Sequence, residues 1–394
     1  MSLAGFAMAL IAAGCGTDQP PSTISADRAP VGLQRILGTR PPLAEDTFQV
    51  FVCDVPLDTT DPNFGDLPLR LSLDPATIAN QMDVSVRPYF EQLSGDRYRP
   101  QFRAGDILAM TADETHDQCV ERALDATDDD VTTAMVVANA ENISTAAGGW
   151  GRPGEPCWFG LCPAAETRRA FFVGGSDFHP DWGDVPLLDL IEHEIGHTLD
   201  LPHSGDGATS ENQHASALDV MSNSAAPREL AEAADGAPTD LSTVRKNGQD
   251  TLAINRLALG WLPADDISIV STHGGRFNLS PSFGPAGLRL LVLPVHDETF
   301  LTVEYLTATG LDDFLPESGL AVHRIDQTSA ACARASGDSA PCTGVKRAQI
   351  TLGSPAPHVD LLDQVGDSWD LDGWSIEVVS VGDLLEVEVR PTER

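Results

Sequence analysis

The spacing of apolar residues predicts alternating strands and helices over the first half of the chain. Long apolar runs typical of buried strands lie at 47–55, 132–140 and 168–175. A helix is expected from residue 74, where Asp74 and Pro75 suit the cap and the first helical position. Apolar residues recur at helical spacing over 117–126 and again from 184 to about 200. Alternation of this kind predicts an α/β (α+β) domain.

The pattern changes after residue 262. Short runs of alternating apolar and polar residues follow one another, separated by Gly, Pro, Asp and Ser. These runs are DISIV, GRFNLS, LRLLVLPV, TFLTVEYL, GLAVHRI, AQITL, WSIEVVS and DLLEVEVR. They are typical of an all-β sandwich. The sequence therefore predicts an α/β domain over residues 46–262 and a C-terminal β-sandwich domain over residues 263–394.

The N-terminus predicts export from the cell. Residues 3–14 form an apolar run that is too short to span a bilayer, which needs about 20 residues, but suits a signal segment. The sequence Ala-Ala-Gly-Cys that ends at Cys15 resembles a bacterial lipobox, in which the cysteine is acylated. We therefore expect a signal segment with lipobox at 1–15 and a flexible linker at 16–45. Plain secretion and an uncleaved segment are the alternatives.

The net charge of the chain limits the classes of partner that we expect. A formal charge of -35 arises from 59 acidic and 24 basic residues. Such a surface repels phosphate backbones, which excludes nucleic acid as an expected partner. The acidity suits the solubility of an exported protein, and it leaves Ca²⁺ as a candidate ion for some of the carboxylates.

The cysteines are also typical of an exported protein. Six remain when Cys15 is set aside: Cys53, Cys119, Cys157, Cys162, Cys332 and Cys342. An even number suits disulfides in an oxidising compartment. Short-range pairing would join Cys157 to Cys162 and Cys332 to Cys342, leaving Cys53 for Cys119, although other connectivities are open. A cysteine-rich zinc site is the rival interpretation, but the sequence has no CxxC spacing.

The candidate chemistry lies in LIEHEIGHTLDLPHS, residues 190–204. His193 and His197 are four residues apart, so a helix directs both imidazoles to one side, where they can bind Zn²⁺. Glu194 is adjacent and can act on water beside such an ion. His203 is the natural third ligand, which leaves one coordination position open, as catalytic zinc requires.

His203 can reach the same ion only if the chain turns back after His197. Pro202 disfavours helical dihedrals at the residue before it, so the helix should end near Asp200. Helices commonly end on a left-handed residue, usually glycine, and aspartate is among the few others that adopt this conformation. We expect Asp200 to replace glycine at this turn. The rival interpretation makes Asp200 itself a metal ligand.

These residues resemble those of a known family. HEIGHTLDLPH is similar to the metzincin zinc-protease signature HExxHxxGxxH, with Asp200 at the glycine position, and Met221 in SALDVMSN resembles the metzincin Met-turn. LALGWLP, TFLTVEYLTATGLDDFLPESGLAVHRID and GDSWDLDGWSIEVVS are similar to immune inhibitor A and gametolysin-like bacterial metallopeptidases. The resemblance implies a twisted mixed sheet with a zinc-binding helix, Glu194 as general base, and an edge strand that binds substrate. RRAFFVGG at 168–175 is the candidate for that strand, although its apolar residues could equally be core.

The expected function is that of a secreted or envelope-anchored zinc endopeptidase that cleaves extracellular proteins or peptides, with membrane contact only through a lipid on Cys15. The alternative is a non-catalytic binding lipoprotein whose β-sandwich recognises a glycan or protein and whose zinc is structural. A zinc hydrolase acting on a non-peptide amide is excluded only by the resemblance. Six further histidines have no ligand-like spacing and are expected to be surface or hydrogen-bonded residues: His179, His214, His273, His296, His323 and His358.

Overall fold

The protein is a mixed α/β structure. The computed structural model describes residues 29–38, 44–64, 70–140, 148–154, 167–205, 214–331, 347–351 and 360–392. Its strands are β1 (Glu45–Asp54), β2 (Arg99–Ala109), β3 (Thr133–Ala138), β4 (Gly149–Arg152), β5 (Arg169–Val173), β6 (Ser204–Gly205), β7 (Ile267–Ile269), β8 (Gly275–Leu279), β9 (Leu290–His296), β10 (Thr299–Leu306), β11 (Gly319–Asp326), β12 (Ala348–Thr351), β13 (Ser368–Leu371), β14 (Trp374–Ser380) and β15 (Leu385–Pro391). Its α-helices are α1 (Val31–Leu37), α2 (Pro75–Ser94), α3 (His116–Ala126), α4 (Asp189–Thr198), α5 (Ala226–Asp235) and α6 (Ala253–Ala258).

A five-stranded mixed sheet carries the helices of the first half of the chain. Its strand order is β2-β1-β3-β5-β4, with β4 antiparallel to β5 and the other neighbours parallel. Side chains of β1 alternate between two cores. Phe48, Val50 and Val52 pack with α2 and α4, whereas Phe51 and Cys53 pack with α3. The predicted strands and helices of this region are confirmed, and the alternation explains why the strands are apolar on both faces.

The ends of α2 follow the sequence signals. The Asp74 side chain accepts a hydrogen bond from the Thr77 amide at 2.9 Å, and Pro75 occupies the first turn. Gly95 ends the helix in the left-handed conformation, with φ 62°. Both caps satisfy backbone groups that the helix leaves unpaired.

The second half of the chain forms two further sheets. One has the order β13-β14-β15-β8 and is entirely antiparallel. The other is mixed, with the order β6-β12-β11-β10-β9-β7. The two sheets share a core to which Leu279, Val303 and Val387 belong. All eight predicted runs contain a strand, and β13 is an additional one.

Two features differ from the predicted division of the chain. β6 lies before residue 262 and yet pairs with β12, so backbone hydrogen bonding crosses the predicted boundary. The segment predicted as a linker, 16–45, contains α1, whose Leu33 and Ile36 are buried in a core with Phe300. Burial of these apolar side chains stabilises the helix, which is too short to be stable without tertiary contacts.

The disulfide between Cys53 and Cys119 joins β1 to α3, which confirms that pairing. The signal segment 1–15 lies outside the described residues, as do the other predicted cysteine sites: Cys15, Cys157, Cys162, Cys332 and Cys342. None of the helices within the described ranges is long and apolar enough to cross a membrane.

Candidate metal centre

The structure brings together the three imidazoles expected from the sequence. α4 places His193 and His197 one turn apart, with their Nε2 atoms 3.0 Å from each other. Nε2 of His203 is also 3.0 Å from Nε2 of His197. One ligand atom from each of the three residues lies within 4.8 Å of the others. This group can hold a metal ion.

The proton positions on the rings favour a cation between them. Nδ1 of His193 is 2.6 Å from the carbonyl oxygen of Val220, and Nδ1 of His197 is 2.8 Å from that of Leu201. A carbonyl oxygen only accepts, so each Nδ1 donates and each Nε2 presents a lone pair. Two lone pairs at this separation repel each other unless a cation lies between them. Ligating histidines usually show this second hydrogen bond.

Burial keeps the imidazoles neutral. It lowers the pKa of His197 to about 4. It also lowers the pKa values of His193 and His203, and the neighbouring histidines lower these two values further. Neutral imidazole is the form that binds transition metals. The donor set therefore fits Zn²⁺ among other ions of this class.

The turn after α4 returns the chain to the site. Asp200 has φ 69°, which confirms the predicted left-handed conformation. The amide of Leu201 donates to the carbonyl of Gly196 at 3.1 Å, and the amide of Asp200 donates to that of His197 at 2.9 Å. This pair of bonds is the Schellman motif, in which the left-handed position is usually glycine. His203 thus reaches Nε2 of His197 three residues beyond the turn.

Substitutions at Asp200 should separate the energetic cost of the left-handed backbone conformation from the effect of the carboxylate charge. Asp200→Gly and Asp200→Ala both remove the carboxylate. Burial lowers the pKa of the Arg347 guanidinium to about 10, and the charge of Asp200 offsets part of that effect. Only alanine keeps a Cβ in the left-handed conformation, so we expect it to be about 1 kcal/mol less stable than the glycine variant. Urea unfolding of both variants measures this difference. Equal stabilities would contradict a backbone role for this position.

Met221 lies beneath the helix that carries the histidines. Its side chain is fully buried, and a Cβ added to Gly196 would collide with its Sδ. The carbonyl oxygen of Met221 accepts from the amide of Ser204 at 2.9 Å, next to His203. Together with the bond from His193 to Val220, this contact fixes two of the three imidazoles to one short turn.

Asp219 anchors the same turn and was not identified from the sequence. Its carboxylate accepts from Ser204 Oγ at 2.6 Å, from the Met221 amide at 3.1 Å, from Thr251 Oγ1 at 2.8 Å and from Asn255 Nδ2 at 3.1 Å. Its position two residues before Met221 was the only sequence signal. Asp219 is therefore a positioning residue that joins the turn to β6 through Ser204 and to α6 through Asn255.

Glu194 has an environment suited to proton transfer. Its side chain is buried, and within the described part of the chain its Oε2 has no hydrogen-bond partner. Burial, together with the nearby charge of Asp177, raises the pKa of this carboxyl to about 8. A carboxyl group with a pKa near neutrality can both accept and return a proton.

Strand β4, with the sequence GWGR, covers Glu194. A Cβ added to Gly149 would lie 2.9 Å from Oε1 of Glu194, and one added to Gly151 would collide with the backbone oxygen of Glu194. The two glycines thus allow the strand to lie directly against α4. β4 is the terminal strand of the sheet as far as the structure describes it. The positions where Gly149 and Gly151 would carry a Cβ face Glu194 and His197 of α4.

Of the two interpretations of RRAFFVGG, an edge strand that binds substrate or core, the structure contradicts the first and confirms the second. RRAFFVGG contains β5, which lies between β3 and β4 and therefore has no free edge. Phe171, Phe172 and Val173 are all fully buried. Their apolar character reflects the core on both faces of the sheet, and the edge position belongs to β4.

One of the other histidines differs from its predicted surroundings. His323 is fully buried, and within the described residues neither ring nitrogen has a hydrogen-bond partner. His214 agrees with the prediction, because it is exposed and its Nδ1 lies 3.1 Å from the carbonyl oxygen of Ser222; its ring also lies beside that of His203. Apart from the three histidines, no group of three Cys, His or carboxylate ligands close enough to hold an ion was found among the described residues.

No protein-family model matches the chain, and no curated protein matches it.

Proposed function

We propose that the protein is a metzincin-type zinc endopeptidase. The observation that carries the proposal is the convergence of three neutral imidazoles beside a buried carboxyl group with a raised pKa. The strand that covers this group, β4, pairs on one side only among the described residues. His193, His197 and His203 would hold the ion. Zn²⁺ would supply a Lewis acid that polarises a carbonyl group and makes water more acidic.

Residues of the chain would transfer the proton and bind the substrate. Glu194 would accept a proton from the attacking water and deliver it to the leaving amine. The outer edge of β4 offers backbone donors and acceptors, so an extended peptide can add to the sheet as a further strand. Because Gly149 and Gly151 have no side chains, β4 itself lies directly against Glu194, and a peptide added beside β4 would be brought towards that carboxyl group. This arrangement favours proteins or peptides as substrates.

A non-catalytic lipoprotein with a structural zinc is the alternative. A structural zinc site usually has four protein ligands and no need for a carboxyl group with a free oxygen. Glu194 is buried with Oε2 lacking a partner among the described residues, and this costs free energy that a structural zinc site would give no reason to retain. The peptidase function accounts for this residue, and the binding function does not.

Metal content and proteolysis test the proposal together. We expect about one zinc per chain by mass spectrometry, and casein cleavage that a chelator abolishes and added Zn²⁺ restores. His197→Ala is the control, because it removes the central imidazole. Cleavage that persists in the metal-free protein would refute the proposal.

Localisation follows as a separate proposal from the lipobox resemblance at Cys15. We expect the wild-type protein in the membrane fraction of a bacterial host, and Cys15→Ser in the soluble exported fraction, because the acyl chain would be the only anchor. Fractionation and immunoblotting measure the distribution. A Cys15→Ser protein that still sediments with membranes would contradict lipidation.

A further inference from the structure

Arg347 and the strand that follows it connect the second half of the chain to the segment that carries His203. Arg347 directly precedes β12, which pairs in parallel with β6 so that Gln349 lies opposite Ser204. Ser204 is the residue after His203. The backbone next to the third imidazole is therefore held by a strand of the six-stranded sheet.

The side chain of Arg347 makes a second connection to the same segment. It is only 1% exposed. Its Nη2 donates to Oδ1 of Asn255, whose Nδ2 donates to Oδ2 of Asp219 at 3.1 Å. The same carboxylate oxygen accepts from Ser204 Oγ at 2.6 Å. A chain of hydrogen bonds thus links the guanidinium to the residue that follows His203.

Two carboxylates that flank the His203 segment also act on this guanidinium. Burial lowers the pKa of Arg347, and the charges of Asp219 and Asp200 offset part of that effect. Asp200 is the left-handed residue at the turn before His203. Asp219 holds Ser204, the residue after it. A buried guanidinium stays charged and is costly unless acceptors and carboxylates lie near it, so Arg347 attracts both ends of the segment.

We infer that Arg347 is a positioning residue for His203, the third ligand of the metal centre. This inference rests on the proposed metal site and makes the six-stranded sheet a part of it. His193 and His197 are fixed by their places on α4, whereas His203 lies beyond the end of that helix. The direction of its imidazole depends on how the segment around it is held. Arg347 and β12 hold that segment from the second half of the chain.

Metal affinity and ligand geometry test the inference without relying on catalysis. We would titrate the full-length protein with Zn²⁺ against a chromophoric chelator and record the visible spectrum of the Co²⁺ form, at a temperature where each variant is folded. Arg347→Met removes the charge and the donors but remains a long side chain. We expect Zn²⁺ affinity to fall at least about tenfold, as for other residues that orient ligands, and the Co²⁺ spectrum to change.

Arg347→Lys is the conservative variant. Lysine keeps the positive charge but replaces the planar set of five donors with a single ammonium group. We expect its Zn²⁺ affinity to lie between those of the wild type and Arg347→Met, because the attraction to the two carboxylates remains while the directed bonds change.

Arg289→Met is the matched control. Arg289 is another buried arginine of the second half of the chain, but it pairs with Asp266 and donates to the carbonyl of Gly284 at 2.7 Å. Neither partner belongs to the metal centre. Loss of this charge should lower stability and leave both Zn²⁺ affinity and the Co²⁺ spectrum at the wild-type level. The comparison separates a loss of stability from a loss of ligand position.

The outcomes separate this inference from the proposed function. If the wild type binds no Zn²⁺, the proposed function fails. If the wild type binds Zn²⁺ and His203→Ala weakens binding, but the folded Arg347 variants have wild-type affinity and spectrum, the inference is overturned and the three-histidine site stands. Should Arg347→Met not fold, Arg347→Lys decides in the same way. Equal weakening by Arg289→Met would also overturn the inference, because the effect would then follow stability. Weaker binding with an altered spectrum in the Arg347 variants alone supports it.

Discussion

Glu194→Gln should lower peptide cleavage by roughly three orders of magnitude, within the range that general acid–base groups contribute. Glutamine has nearly the same shape but cannot accept a proton from water. The side chain is not among the three metal ligands, so zinc content should stay at the wild-type level. Initial rates on casein or a fluorogenic peptide, together with metal analysis of the same sample, measure both quantities.

Glu192→Gln is the matched control. Glu192 is buried on the same helix, two residues earlier, and its Oε2 accepts from the amide of Gly248 at 2.8 Å. Burial raises its pKa well above the usual value, which favours the neutral carboxyl group, and glutamine retains an acceptor for Gly248. We expect wild-type cleavage from this variant. Undiminished cleavage by Glu194→Gln would show that another group handles the proton.

The metal-binding segment could be predicted because its geometry is local. His193 and His197 share a helix face through their spacing alone, and the turn at Asp200 follows from Pro202 and the small set of residues that adopt left-handed dihedrals. The return of His203 then depends on only three further residues. Each step involves neighbours in sequence, for which propensity and pattern are informative.

The strand over the site could not be predicted in the same way. β4 has four residues, two of them glycine, and glycine is depleted in strands. Its conformation is fixed by antiparallel pairing with β5 and by close approach to α4, which are both tertiary contacts. The edge position was assigned to RRAFFVGG only through the resemblance, and its composition could not decide between edge and core, because a strand buried on both faces is also apolar.

The positions of His214 and Asp219 near the metal centre could not be predicted from the sequence either. Neither residue has a ligand-like or catalytic spacing relative to His193 and His197. Their positions depend on the turn around Met221, which is folded against α4 by the buried thioether. Only the folded chain shows that consecutive carbonyl groups, at Val220, Met221 and Ser222, accept from His193, Ser204 and His214.

The turn around Met221 makes Asp219 the positioning residue with the largest expected effect on stability. Its carboxylate is fully buried and accepts the four hydrogen bonds described above, to Ser204, Met221, Thr251 and Asn255. The side chain of Asn255 also accepts from Arg347, the residue before β12. Asp219 therefore joins the metal centre to the six-stranded sheet through a continuous polar network.

Asp219→Ala should lower the free energy of unfolding by about 3 kcal/mol or more, because it leaves several buried donors without an acceptor. Zn²⁺ affinity should fall about 10- to 100-fold, since the segment that carries His203 loses an anchor. Ser204→Ala removes only one of these bonds and should cost about 1 kcal/mol. Urea unfolding of the metal-free proteins and Zn²⁺ titration at a temperature where both variants are folded separate the two effects. If Asp219→Ala lost stability but kept wild-type affinity, Asp219 would support the fold without positioning the ligands.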